Sequence, residues 1–117
     1  EYAVTQPVFD VDALVSFLDR IRDEGKTLPV VAGIWPLVSL RNAEFMKNEV
    51  PGVIVPDAVV ARMARAQEKG KEEAMAEGVR IAREIVDQIR ERVAGLQISA
   101  PLGRISMALD VAAGLRG

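Results

Sequence analysis

The stretch LPVVAGI, residues 28–34, is an unbroken apolar run, the pattern of a strand buried on both faces of a parallel sheet. Before it lies DVDALVSFLDRIRDEG, residues 10–25, where Val11, Leu14, Val15, Leu18 and Ile21 recur at helical spacing. Asp10 is placed to cap that helix and Gly25 to stop it. Residues 3–9 predict a strand ahead of the helix, so the chain opens as strand, helix, strand, which implies parallel pairing through a right-handed crossover.

The same alternation continues outward. SLRNAEFMKNEV, residues 39–50, reads as a helix capped by Ser39 and ended by Pro51 and Gly52. A helical region runs from Asp57 to about Ala94 with a break near Gly70. Its residues Met75, Val79, Ala82, Val86, Ile89 and Val93 draw one apolar stripe. Lys71, Glu72, Glu73, Glu77, Arg80, Glu84, Asp87 and Glu91 fall opposite and read as a solvated face. GLQISA, residues 95–100, predicts a third strand, and a last helix spans about Gly103 to Ala113.

Composition narrows the function classes. The chain has 117 residues, half of them hydrophobic, enough for one domain with a real core. Fifteen basic against seventeen acidic residues give a net charge of −2 and no basic stripe, which argues against nucleic-acid binding. Without cysteine there is no disulfide framework or thiolate chemistry, as suits a cytoplasmic protein. Without histidine, neither a Ser-His-Asp arrangement nor the usual zinc site can be assembled. No apolar run of about 18 residues is present to cross a membrane, and no signal-peptide pattern. The first residue is Glu1, so the chain reads as a piece of something longer.

Three parallel strands alone would leave two unpaired edges and an uncovered face. The expected fold class is therefore α/β, specifically the C-terminal three βα units of a (β/α)8 TIM barrel, a fold that typically takes about 250 residues. A doubly wound domain is the rival, but no glycine-rich phosphate loop follows the first strand. Barrel sites lie at the C-terminal ends of strands. Those ends are Gln6-Pro7, Gly33-Ile34-Trp35-Pro36 and Ala100-Pro101-Leu102-Gly103-Arg104, each carrying a proline that stiffens the loop.

Gln6 offers an amide with donors and acceptors that can either read a flat heterocycle or bond to neighbouring backbone. Arg104 falls in the first turn of the last helix, where the helix dipole disfavours a cation; a bound anion, a carboxylate partner or solvent would compensate. Trp35 is either a stacking platform or a core plug. Leu40 and Leu102 are apolar at loop positions, as packing residues or as walls of an apolar slot.

TQPVFD at 5–10, VVAGIWPLVSLRNAEFM at 30–46, NEVPGVIVPD at 48–57 and ISAPLGR at 98–104, in that order, resemble the C-terminal part of the methylenetetrahydrofolate reductase barrel. The wording is nearest to the branch fused behind a homocysteine methyltransferase domain. The resemblance implies an FAD-dependent barrel enzyme that passes a hydride from NAD(P)H through flavin to 5,10-methylenetetrahydrofolate, giving 5-methyltetrahydrofolate. It implies that Gln6 bonds the pterin, that Leu102 and Arg104 line the folate site, and that Leu40 stands where some members carry a stacking phenylalanine. The family's proton-donating glutamate and most flavin contacts match nothing here. The implied partners are thus the folate and the remainder of the barrel, with self-association through bare strand edges, and the fragment alone is expected to be inactive. The alternative is a structural, self-assembling fragment with no ligand.

Overall fold

The computed structural model describes residues 3–25, 29–99 and 105–113. Three strands form one parallel sheet in the order β1 (Ala3–Pro7), β2 (Val30–Ile34), β3 (Gly95–Ile98). Helix α1 (Val11–Asp23) links the first two, and α2 (Leu40–Glu49), α3 (Asp57–Glu68) and α4 (Lys71–Ile89) lie between β2 and β3. Helix α5 (Ile105–Ala113) follows. The expected strand and helix sequence is thus observed, with strands shorter than the apolar runs that encode them.

Local chemistry sets the boundaries. Asp10 Oδ1 accepts the Ala13 amide at 3.1 Å, capping α1, and the chain leaves the helix through Gly25 at φ +76°. Ser39 Oγ accepts the Asn42 amide at 3.0 Å at the start of α2. The break between α3 and α4 falls at Gly70, whose φ of +124° is strained for any residue with a Cβ.

β2 departs from the expectation of burial on both faces. Val30, Ala32 and Ile34 are buried, whereas Val31 and Gly33 are only half-buried. Ala32 and Ile34 pack with Leu37, Met63, Ile85, Val86 and Ile89 into one core. Covering Ile34 alone contributes about 2 kcal/mol of apolar transfer. An apolar run without polar interruption cannot say which of its faces the other elements cover.

The stripe on α4 is broader than the one predicted. Ala74, Gly78, Ile81, Ala82, Ile85, Val86 and Ile89 are buried, Met75 and Val79 only half-buried, and Val93 lies past the helix end. The cause is that α4 packs against α1, α3 and α5, so neighbours cover more than one face. The charged side of α4 is likewise not simply solvated. Arg62 of α3 bonds Glu77 at 2.6 Å and grips both carboxylate oxygens of Glu84 at 2.7 and 2.8 Å. Arg80 adds bonds to Glu77 and Glu73, each at 2.7 Å. Glu77, with 14% of its side chain exposed, lies between two guanidinium groups.

Candidate functional site

At the C-terminal end of β1 the ladder breaks step. Val4 pairs with Val31 and Pro7 with Gly33, so Thr5 and Gln6 together face a single residue, Ala32. This bulge is stitched by a side chain: Thr5 Oγ1 accepts the Gly33 amide at 3.0 Å and donates to the Gln6 carbonyl at 2.8 Å. The strand reaches its end with Gln6 exposed. Among the described residues no hydrogen bond to the Gln6 amide is seen, and as an exposed group it is open to solvent. The Pro51-Gly52 turn lies beside it, where a Cβ built on Gly52 would stand 3.7 Å from Gln6 Nε2.

Gln6 borders a groove of about 430 Å³ that runs between β1, one face of α1 and the 52–54 segment. Val4, Phe17 and Ile54 are its exposed apolar lining, and Arg20 is its cation. The volume falls within the range of small-molecule sites. Phe17, Arg20, Gly52 and Ile54 were not legible as site residues. Phe17 and Arg20 lie off the apolar stripe of their helix, and Ile54 stands exposed between buried Val53 and Val55, a short alternation in NEVPGVIVPD that sequence alone leaves as loop.

The other predicted positions are not gathered at this groove. Leu40 opens α2, is half-buried, and packs against the core; it does not line the groove. Trp35 also packs against the core in the manner of a plug, with its indole N–H buried and unpartnered among the described residues. Leu102 and Arg104 lie outside the described residues.

A second cleft of about 250 Å³ lies where the start of α1 meets α3 and α4, and three of its charged groups, Asp10, Arg62 and Glu84, are already engaged. Arg62 and Glu84 hold each other there, and Asp10 caps α1. The hydrogen bond from Arg62, against some burial, holds the Glu84 carboxyl below the usual glutamate value. Burial pushes Glu77 up, but hydrogen bonds from Arg80 and Arg62 outweigh it and leave that carboxyl lowered as well. Among the described residues, no group of three or more acidic side chains is placed to hold a metal ion. No described helix is long and apolar enough to cross a membrane.

The model of the family described as methylenetetrahydrofolate reductase matches residues 1–100. The chain belongs to the methylenetetrahydrofolate reductase family. No curated protein matches it. Membership in this family associates the chain with folate reduction in one-carbon metabolism, an oxidoreductase role. The family is generally flavin-dependent. A dinucleotide pyrophosphate needs free backbone N–H groups at a helix N-terminus or glycine-rich turn. Here the start of α1 is filled by the Asp10 carboxylate, with Asp12 in its first turn, and the start of α2 by Ser39 and by Gln67. The helix starts that follow β1 and β2 therefore do not fit a flavin pyrophosphate.

Proposed function

We propose that residues 1–117 are the C-terminal three βα units of a methylenetetrahydrofolate reductase TIM barrel and supply part of its folate wall. In this reading Gln6 reads the pterin ring, Leu40 and Leu102 give apolar walls, and Arg104 faces an acidic part of the substrate. Most FAD contacts lie outside this chain and NAD(P)H is the co-substrate of the intact enzyme; the chain carries no proton donor and does not catalyse by itself. The reading extends to the branch that carries a homocysteine methyltransferase domain.

The observation that carries the proposal is the Gln6 amide, exposed at the end of β1 and unpartnered among the described residues, on the rim of a groove of small-molecule size. The half-buried face of β2 at Val31 and Gly33 supports it further, since a barrel interior is completed by strands on both sides. Calorimetric titration of 5-methyltetrahydrofolate into the chain and into Gln6→Ala tests it. The expected result is binding that weakens by about 1 kcal/mol, roughly fivefold, in the variant. Equal binding by both proteins removes Gln6 from the site, and no binding by either leaves the folate wall without support.

A second reading, a self-assembling fragment without a ligand, is favoured by one observation. β1 has no partner on its outer side among the described residues, and Val4, Phe17 and Ile54 are exposed beside that edge.

A further inference from the structure

The segment from Trp35 to Ser39, which joins β2 to α2, and the first turn of that helix are pinned at several points. Pro36 and Leu37 are buried, and the Leu37 main chain rests directly on α4 at Gly78. A Cβ at Gly78 would stand 1.7 Å from the Leu37 carbonyl oxygen, so only glycine admits this approach. Ahead of the helix, Asn42 Oδ1 accepts the Val38 amide at 3.2 Å, while Ser39 Oγ accepts the Asn42 amide at 3.0 Å. These two bonds are local, and many helix starts have them.

The third is not local. Gln67, near the end of α3, reaches back across 27 positions so that its Oε1 accepts the Leu40 amide at 3.2 Å. The first N–H groups of a helix have no partner within the helix, and water ordinarily satisfies them. Here a half-buried side chain from another helix does so, at the residue proposed above as a folate wall. The bond fixes the first turn of α2 against α3 while Gly78 supports the preceding main chain from below.

We infer that Gln67 is a positioning residue: by holding the Leu40 amide it sets where Leu40 stands relative to the strand ends, and through Leu40 it tunes the folate site without touching the ligand. The inference rests on the folate-wall reading. It adds to that reading a residue that lies outside every motif of the family resemblance.

Two variants separate the bond from the bulk of the side chain. Gln67→Met keeps the length and removes the acceptor, and Gln67→Glu keeps an acceptor. Each is followed by hydrogen exchange at the Leu40 amide, by thermal unfolding, and by calorimetry with 5-methyltetrahydrofolate. Leu40 exchange is expected to quicken about fivefold or more in Gln67→Met and to stay near wild type in Gln67→Glu. Folate affinity is expected to follow the same order, falling about fivefold in the first and recovering in the second. Unchanged Leu40 exchange in Gln67→Met overturns the inference. Faster exchange with unchanged folate affinity overturns it too, leaving Gln67 as a helix cap. Failure of the wild-type chain to bind folate sinks the folate-wall reading and this inference together, whereas wild-type binding equalled by Gln67→Met sinks this inference alone.

Discussion

Thr5 and Gly33 are joined by a hydrogen bond that replaces a rung of the sheet: the Gly33 amide donates to the Thr5 hydroxyl at 3.0 Å, at the one place where β1 and β2 lose register. The same hydroxyl donates to the Gln6 carbonyl at 2.8 Å. Space at Gly33 is tight here: a Cβ would lie 3.0 Å from the Thr5 carbonyl oxygen, which would have to give way by a few tenths of an ångström. Thr5→Val keeps the branched shape and leaves the Gly33 amide unpaired. It is expected to cost about 1 to 2 kcal/mol, read as a lower urea midpoint at unchanged slope. Thr5→Ser is expected to recover most of the loss.

Gly78→Ala sets two effects of opposite sign against each other. Alanine in place of glycine inside a helix is worth about 1 kcal/mol. The added methyl would overlap the Leu37 carbonyl oxygen, a backbone atom that cannot turn away as a side chain can. Overpacking costs about 1 to 3 kcal/mol, and an approach of 1.7 Å to a backbone atom belongs at the upper end, so the overlap wins. Thermal unfolding checks this, with a higher melting temperature as the outcome that would refute it. Gly25→Ala is the control: nothing lies within 4 Å of its Cβ, and only the φ of +76° opposes it, at about 1 kcal/mol.

The contrast between these glycines marks how far the sequence could be read. Asp10, Ser39, Gly25 and Gly70 act through residues a few positions away, so helix starts and stops were legible. Gly78 looked like an ordinary member of a helical run, because its constraint comes from Leu37, far away in the chain. Glu77 was assigned to solvent for the same reason: its partner Arg62 sits on a different helix. At the candidate site, Gln6 stood out because an amide beside a proline at a strand end is locally odd. Phe17, Arg20 and Ile54 were missed because a groove arises only when α1 and the 52–54 segment are brought to one strand edge.

The Arg62, Glu77 and Arg80 cluster predicts an acid-sensitive clasp between α3 and α4. Glu77 and Glu84 both titrate below the ordinary glutamate value in the folded chain, so their contribution is present above the unfolded value and is lost as pH falls through the folded one. Both arginines are held further toward their charged form and stay charged throughout. The urea midpoint is therefore expected to drop from about pH 5 downward. In Glu77→Gln that drop is expected to shrink, since one of the titrating groups is gone. Arg62→Met, which strands the mostly covered Glu77, is expected to cost about 1 to 2 kcal/mol at pH 7, after allowance for partial exposure. An acid limb in Glu77→Gln identical to wild type would place the sensitivity elsewhere.

The outer edge of β1 predicts how the chain behaves at high concentration. Edge strands that keep bare N–H and C=O groups template pairing with another chain, and natural proteins blunt them with charge. β1 carries none: Val4, its second residue, is 50% accessible, and Ile54 and Phe17 beside it are 56% and 38% accessible. Light scattering is expected to show association that grows with concentration, and Val4→Lys is expected to suppress it. Because Val4 is exposed, that substitution is expected to change folding stability by no more than about 0.5 kcal/mol. A loss of association can then be assigned to the edge and not to unfolding. A wild-type chain that stays strictly monomeric would show that the edge is protected without help from charge, and the self-assembly reading would fall with it. Association that survives Val4→Lys would move the contact off β1, to α5, where Leu109 is 63% exposed, or to Phe45 on α2, 54% exposed.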